Sequence, residues 1–594
     1  MKDFIKYTLA TITGIIVSSM VLFFIGMVLF ASIIAAKSDA GETIIQDKSI
    51  LTLHFKGSLE ERKIENPLES ILGDNSQTTY GLEDLLKAIK KAKENDKVKG
   101  IYINYEMLTG SFASLEELRN ALVDFKSDGK FIVSYADTYS QGGYYLSSIS
   151  DKILLNPIGS IEWNGLSATP IFFKGLLDKL GVEAQIFKVG TYKSAVEPYI
   201  LNEMSEANRE QTQHFLSSLW SNMLKGVSES RAIPVDSLNR LADKLLLFYP
   251  AEESIKAGLA DSLIYKSEVK DFLKAQLGLD KDDDLNTISL KTMQNAAQAK
   301  PKNKSGNILA VYYAYGGIDM GGRSNPLSPE NGINSQKVIK DLKKLEENKD
   351  VKAVVLRVNS PGGSAFGSEQ IWKAIMDLKE TKPVVVSMGD YAASGGYYIS
   401  AAADRIVAQP TTLTGSIGIY GMWFKNKSLL SKIGINFDGV KTNAHSDLGV
   451  PNKALSAEET AIIQMNVNRG YDLFLTRCAN GRGLTKEEVG KVAEGRVWTG
   501  ETAKELGLVD ELGGLDRAIE LAKELAEIEE YSLISYPKKK DFLAKLLETD
   551  IEDYLSEKIF ARKIGSFYNE YKLLNDLLDS DVLQMRMPYY LDFK

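Results

Sequence analysis

The apolar and polar positions along the chain fall into three regimes. The first is a run of 30 uncharged residues, Tyr7–Ala36, dominated by Ile, Val, Leu, Phe and Met. About 20 such residues in a helix span the hydrocarbon core of a bilayer, so the run predicts an anchor in contact with membrane lipid over residues 7–36. The apolar stretch of a cleaved signal peptide is much shorter, and only the small pair Ala35-Ala36 looks like a cleavage site. Lys2 and Lys6 precede the run, and a mixed Lys37, Asp39 and Glu42 follow it. That bias favours a cytoplasmic N-terminus, with the rest of the chain outside the cytoplasm.

The second regime alternates short β-branched or aromatic runs with stretches of helical period. Ile50–Phe55 and Ile308–Tyr313 each open such a series. Buried-strand patterns follow at Lys97–Asn104 and Asp350–Asn359, then at Phe131–Tyr135 and Pro383–Met388. Strands alternating with helices predict a parallel α/β architecture with crossover helices. The third regime begins near Pro537, where the pattern turns charged and helical before ending in the aromatic stretch Pro588–Phe593.

The two α/β series are copies of one another. Y-A-D-T-Y-S-Q-G-G-Y-Y-L-S-S-I-S-D-K-I-L-L-N-P (Tyr135–Pro157) matches M-G-D-Y-A-A-S-G-G-Y-Y-I-S-A-A-A-D-R-I-V-A-Q-P (Met388–Pro410). The offset is constant: Asp137 pairs with Asp390, Gly142 with Gly395 and Pro157 with Pro410. Further on, Ser254–Leu263 echoes Ala503–Leu512. A period this long means domain duplication, since solenoid units are far shorter. The chain therefore divides into a tail and anchor at 1–45, an α/β repeat at 46–280, a polar linker at 281–306, a second α/β repeat at 307–536 and a helical extension at 537–594.

Composition narrows the function. With 44% apolar and 25% charged residues in 594, the chain is globular rather than disordered. A net charge of −8 leaves no basic footprint for nucleic acid. Cys478 is the only cysteine, so no intrachain disulfide forms. Neither a His/Cys cluster for zinc nor a G-x-G-x-x-G or P-loop motif occurs, and no metal or organic cofactor is expected.

The copies have decayed in complementary ways. Before Gly-Gly the second copy has Ser394 where the first has Gln141; further on, the first has Lys193 where the second has Ser446. One half keeps a possible nucleophile and the other a possible base, as expected of one reaction centre built from both. Ser394 follows a buried strand and precedes a helix, so the Gly395 amide can face a developing oxyanion. Gly362 and Gly363, in N-S-P-G-G-S (Asn359–Ser364) at a neighbouring strand end, offer a further donor. The plain alternative is a close-packed helix start with Ser394 as its cap. Against it, the first copy lacks the serine and the Pro-Gly-Gly loop together.

A serine hydroxyl needs a base. His54 lies in an alternating strand and His214 in a polar helix, both structural readings; His445 is a candidate base beside Ser446 and Asp447, or a polar loop residue. Lys193 is the stronger candidate. To act as a base its pKa must fall from ~10.4 towards ~7–8, and only a desolvated interface sustains that. Ser416, in T-G-S-I-G, can hold the amine, or the motif is simply a turn.

At these residues the chain resembles the long form of the signal peptide peptidase A (protease IV) family. The matching segments are R-V-N-S-P-G-G-S (Arg357–Ser364), A-A-S-G-G-Y-Y-I-S (Ala392–Ser400), L-T-G-S-I-G-I-Y-G (Leu413–Gly421), Y-K-S-A-V-E-P-Y (Tyr192–Tyr199) and V-W-T-G through L-G-L-V-D (Val497–Asp510). The resemblance runs from the anchor to about Leu525. It implies tandem crotonase/Clp-protease-like domains and a Ser/Lys serine endopeptidase that degrades remnant signal peptides and other apolar peptides. Its setting would be a bacterial cytoplasmic membrane, crossed once, with the catalytic repeats outside. By position, Ser394 would be nucleophile, Lys193 general base and Ser416 the lysine's partner, with Gly362, Gly363 and Gly395 as oxyanion donors. A homo-oligomer is implied, tetrameric in the long form. The alternatives are a Ser/His hydrolase using His445, a crotonase-like acyl-CoA enzyme and a non-catalytic membrane scaffold.

Overall fold

Two long strands, Ser49–Glu60 and Val98–Thr109, form the centre of the first repeat because Ile50, Leu51, Leu53, Ile101 and Ile103 are apolar on both faces of the sheet. The computed structural model describes residues 2–38, 45–63, 78–296, 303–320, 332–450, 453–538, 563 and 583–587. The first sheet is parallel throughout, ordered Thr78–Gly81, Ser49–Glu60, Val98–Thr109, Phe131–Tyr139, Lys152–Ile161, Ser262–Leu263.

The second repeat rebuilds this plan. Its sheet runs Val497–Thr499, Leu413–Gly415, Val384–Ala393, Val351–Ser360, Ile308–Tyr315, Ser532–Tyr536, parallel except for the first pair. Helices Leu82–Glu94 and Phe112–Lys126 recur as Ser335–Glu347 and Ala365–Lys379. Each sheet packs crossover helices into its own apolar core.

The repeats are joined by buried charge as well as by packing. Arg357 sits between Glu61 and Glu117 of the first repeat, its Nη2 2.6 Å from each carboxylate. Ser114 donates through N and Oγ to Asp390, both at 2.8 Å. Leu515 N donates to Glu117 at 2.6 Å. A third, mixed sheet crosses the boundary, ordered Gly332–Asn334, Gly317–Asp319, Gly362–Ser364, Leu583–Arg586, Ile419–Lys425, Glu183–Val189. It carries the site.

Two segments differ from the sequence expectation. Part of the polar linker is ordered: Thr287–Ser289 adds to the first sheet and Leu290–Gln294 is helical. The reason is Ile288 and Met293, which complete the first repeat's core. In the extension, Leu583–Arg586 is a strand rather than a helix. Leu583, Met585 and Met587 recur at every second position, the period of a strand. The remainder of the extension, apart from Pro537, Lys538, Lys563 and Met587, lies outside the described residues. At the other end, Lys2–Ser38 is one helix, and Asp3–Met27 is long and apolar enough to cross a membrane.

Candidate active site

The strand Val384–Ala393 delivers Ser394 into a sharp turn, and helix Gly395–Ser400 begins immediately after it. Ser394 has φ 57° and ψ −115°, a left-handed backbone that L side chains rarely adopt and that is found where a site constrains the chain. It occupies the N-cap position but its side chain makes no cap bond. The first repeat behaves differently: Ser140 caps Gly143 N, and Gln141 is tied into its loop. Gln141 Oε1 accepts from Asn164 N at 2.8 Å and Gly165 N at 2.9 Å. The strain in the second repeat frees the Ser394 hydroxyl to point elsewhere.

It points at Lys193. Strand Glu183–Val189 of the first repeat pairs antiparallel with Ile419–Lys425 of the second, which carries the following loop across the boundary. Glu494 grips that loop: its Oε2 accepts from Thr191 N and Oγ1 at 2.9 Å, and its carbonyl accepts from Tyr192 N at 2.9 Å. Gln211 Nε2 donates to the Tyr192 carbonyl and Ser194 Oγ, both at 3.0 Å. Lys193 then lies with Nζ 2.8 Å from Ser394 Oγ, 3.0 Å from Ser416 Oγ and 3.1 Å from the Ser416 carbonyl. All three residues are fully buried.

Burial, with no carboxylate partner among the described residues, pushes the Lys193 amine well below its ordinary pKa. A neutral amine has two N–H groups and one lone pair. The Ser416 carbonyl only accepts, and Ser416 Oγ can accept the second N–H. The lone pair is then available to the Ser394 hydroxyl. Ser416 is itself at φ 48°, and its amide donates to Arg496 O at 2.7 Å, which fixes the turn.

Beside Ser394, three glycines converge. A methyl on Gly395 would stand 2.6 Å from Ser368 Oγ, 3.2 Å from Gly362 Cα and 3.3 Å from Gly363 N. Gly362 has φ 101° and Gly363 φ 153°, so side chains are excluded by space and by backbone. The Gly362 amide donates to Ser360 Oγ at 3.2 Å.

The histidines lie elsewhere. His445 is 39% exposed, with Nδ1 3.3 Å from Glu459. His54 pairs with Glu106 at 3.3 Å, and His214 stacks edge-on against Trp498. No histidine is a hydrogen-bond partner of Ser394 among the described residues. Those residues also contain no group of three or more His, Cys, Asp and Glu that could hold a metal.

Sequence reasoning misses Gly495. A methyl there would sit 2.7 Å from Lys193 N and Cβ, and Gly495 has φ 77°. Gly418 plays a similar part: a methyl there would stand 3.2 Å from Lys193 Cδ. These glycines let the lysine stem lie flat against the second repeat. The only sequence signal is their place next to matched motifs.

A family model described as peptidase family S49 matches residues 124–280 and 376–529, once in each repeat. A model described as Clp protease matches residues 328–412. The protein called Protease 4 in Haemophilus influenzae is 36% identical over 518 residues, covering 84% of this chain and 83% of that protein. Protease 4 of Salmonella typhi is 37% identical over 514 residues, covering 85% and 81%. The chloroplastic serine protease SPPA of Arabidopsis thaliana is 32% identical over 548 residues, covering 91% and 78%.

Proposed function

The chain belongs to peptidase family S49 and is a serine protease, and from that premise we propose that Ser394 is its nucleophile and Lys193 its general base. Membership sets aside the acyl-CoA and scaffold alternatives. The observation that carries the assignment is the fully buried Lys193 amine 2.8 Å from Ser394 Oγ. Ser394 Oγ attacks the scissile carbonyl while Lys193 takes its proton. Lys193 then gives that proton to the leaving amine and, neutral again, later takes a proton from the water that releases the acyl group. Gly363 and Gly395 amides are the oxyanion donors, since the Gly362 amide is already engaged with Ser360. Ser416 is a positioning residue that orients the lysine lone pair.

The substrates we propose are apolar peptides released at a membrane, cleaved signal peptides among them. The supporting feature is the apolar helix Asp3–Met27, which would hold the protease at the bilayer that supplies them. The catalytic repeats would face away from the cytoplasm, with the chain assembled as a homotetramer.

A fluorophosphonate probe is expected to label the purified protein at Ser394, read by peptide mapping. Ser394→Ala should lose both the label and peptide hydrolysis. Labelling at a different serine, or hydrolysis surviving in that variant, would remove Ser394 from the mechanism.

Gly495→Ala tests the positioning of the base. The added methyl collides with the Lys193 backbone and stem. A displacement of about 1 Å costs on the order of 10²-fold in rate. The expected result is a kcat lowered by about that factor with KM little changed; an unaltered kcat would show that the lysine tolerates the shift.

A further inference from the structure

The strand that carries the nucleophile falls out of step with the strand that carries the glycine loop just before both reach the site. Val358 pairs with Met388 and Ser360 with Ala392, so Asn359 faces Gly389, Asp390 and Tyr391 across a bulge. A bulge of this kind removes ladder hydrogen bonds and re-aims the chain beyond it. Here one side chain makes good the loss. Asn359 Oδ1 accepts from Tyr391 N at 3.1 Å, and its Nδ2 donates to Asp390 Oδ2 at 2.9 Å. A methyl on Gly389 would stand 2.9 Å from Asn359 Cγ, so the amide group lies flat on the bulge. Thr412, directly before strand Leu413–Gly415, donates through Oγ1 to the Gly389 carbonyl at 2.8 Å.

The far side of Asp390 meets the other repeat. Helix Phe112–Lys126 points its first turn at the carboxylate: Ser114 N donates to Oδ1 and Ser114 Oγ to Oδ2, each at 2.8 Å. The amides and dipole of a helix N-terminus favour a negative charge there. Further along the same helix, Glu116 Oε2 accepts from Thr411 N at 3.3 Å, beside Thr412. The corresponding Asp137 of the first repeat is exposed and accepts from Tyr135 Oη at 2.7 Å and Asn156 Nδ2 at 2.8 Å, both in its own repeat. One residue type at one repeat position thus serves a local turn in the first copy and a joint between repeats in the second.

That joint adjoins the reacting groups on both arms. Asn359 precedes Ser360, whose Oγ donates to the Gly316 carbonyl at 2.7 Å and accepts from Gly362 N at 3.2 Å, at the entrance of the glycine loop. Asp390 lies one helical turn's length of sequence before Ser394, on the strand that delivers it. We propose that Asp390 and Asn359 are positioning residues that set the spacing between the Gly363 and Gly395 amides, and that the first repeat, through Ser114, locks them in that arrangement. The inference rests on the reading of Ser394 as nucleophile and of those amides as oxyanion donors. The first repeat then acts on the reaction twice: it brings Lys193, and it holds the shape of the oxyanion hole.

The test exchanges the two side chains in the full-length protein. Asp390→Asn turns an acceptor into a donor facing Asn359 Nδ2, and Asn359→Asp sets a second carboxylate against the first. Combined, the substitutions restore one donor and one acceptor in reversed order, with the new carboxylate at position 359 still able to accept from Tyr391 N. Displacing an oxyanion donor costs about 10²-fold or more in kcat. Each single variant should therefore lose about 10²-fold in kcat per fluorophosphonate-labelled site, with KM for a fluorogenic peptide little changed. A peptide aldehyde, whose hemiacetal with Ser394 Oγ places an oxygen in the hole, should bind more weakly by the same factor. The double variant should regain most of both. Ser114→Ala keeps the amide bond and removes the hydroxyl one, so a loss of about tenfold in kcat is expected; it carries the test if an exchanged pair prevents folding. A kcat per labelled site equal to the parent's in the folded variants, whatever their melting temperatures, would make the joint purely structural and overturn the proposal. Losses in both single variants without recovery in the double would also overturn it. Absence of Ser394 labelling in the parent would remove the nucleophile reading, and the proposal with it.

Discussion

Lys193→Met and Lys193→Arg are each expected to lower kcat/KM by about 10⁴-fold or more, the scale of losing one member of a catalytic unit, while moving stability in opposite directions. Methionine keeps the apolar stem and removes the proton acceptor. Arginine keeps a cation but cannot release its proton at accessible pH. On the proposed mechanism the parent acts through the neutral amine, so kcat/KM is expected to rise with pH through the folded-state pKa of Lys193, which burial holds below its ordinary value.

The same shift sets the sign of the stability effect. Between the lowered folded pKa and the unfolded value of ~10.4, the unfolded chain binds a proton that the folded chain does not. Folding is therefore disfavoured at neutral pH, and stability increases as pH climbs towards the unfolded value. Lys193→Met lacks that proton and should melt at a higher temperature than the parent at pH 7, with the difference shrinking at alkaline pH. Lys193→Arg buries a permanent cation without a carboxylate beside it, and should melt lower throughout. Thermal melts at several pH values, with kcat/KM on one fluorogenic peptide, check both. Arginine supporting hydrolysis within tenfold of the parent would sink the lysine as base.

The apolar N-terminal helix, the duplication and the two candidate catalytic groups are legible in the sequence for different physical reasons. The apolar run is a matter of composition over 30 residues, Tyr7–Ala36, and needs no tertiary information. Ser394 and Lys193 are legible because each stands where its copy has something else, and the two side chains lie 2.8 Å apart. Glu494 and Gly495 are not, because they act on Lys193 from the other repeat and from three hundred residues away in the chain. Ile288 and Met293 carry little signal inside a polar stretch; their burial depends on a groove that the first repeat forms only when folded. The tail strand is shorter still. Its alternation spans Leu583 to Met587 within a charged, helix-like context, and what makes it a strand is the pair of walls that receives it.

Arg357 lies two residues before Asn359 of the glycine loop, yet its side chain serves the boundary between the repeats. Arg357→Met is expected to destabilise the protein by about 3–5 kcal/mol, the cost of leaving buried partners uncompensated. The guanidinium is 2% exposed and holds Glu61 through Nε at 2.8 and 2.9 Å and Glu117 through Nη2 at 2.6 Å. Nη1 donates to Ser387 Oγ at 2.8 Å. Burial raises the Glu117 pKa and the arginine opposes that rise. Without the arginine the opposition is gone, and Glu117 binds its proton at still higher pH. A carboxyl whose folded pKa exceeds its unfolded value favours folding as pH falls, so Arg357→Met should regain stability on acidification. Replacing the charges together, Glu61→Gln, Glu117→Leu and Arg357→Met, should recover most of the loss at pH 7, because no buried charge is then stranded. Urea unfolding at pH 7 and pH 5 separates these outcomes. A change under 1 kcal/mol in the single variant would mean that water or a rearranged partner reaches the carboxylates. The activity of the single variant should fall with its stability, since the strand that holds Arg357 ends in the loop beside Ser394, while Glu61 and Glu117 belong to the repeat that brings Lys193.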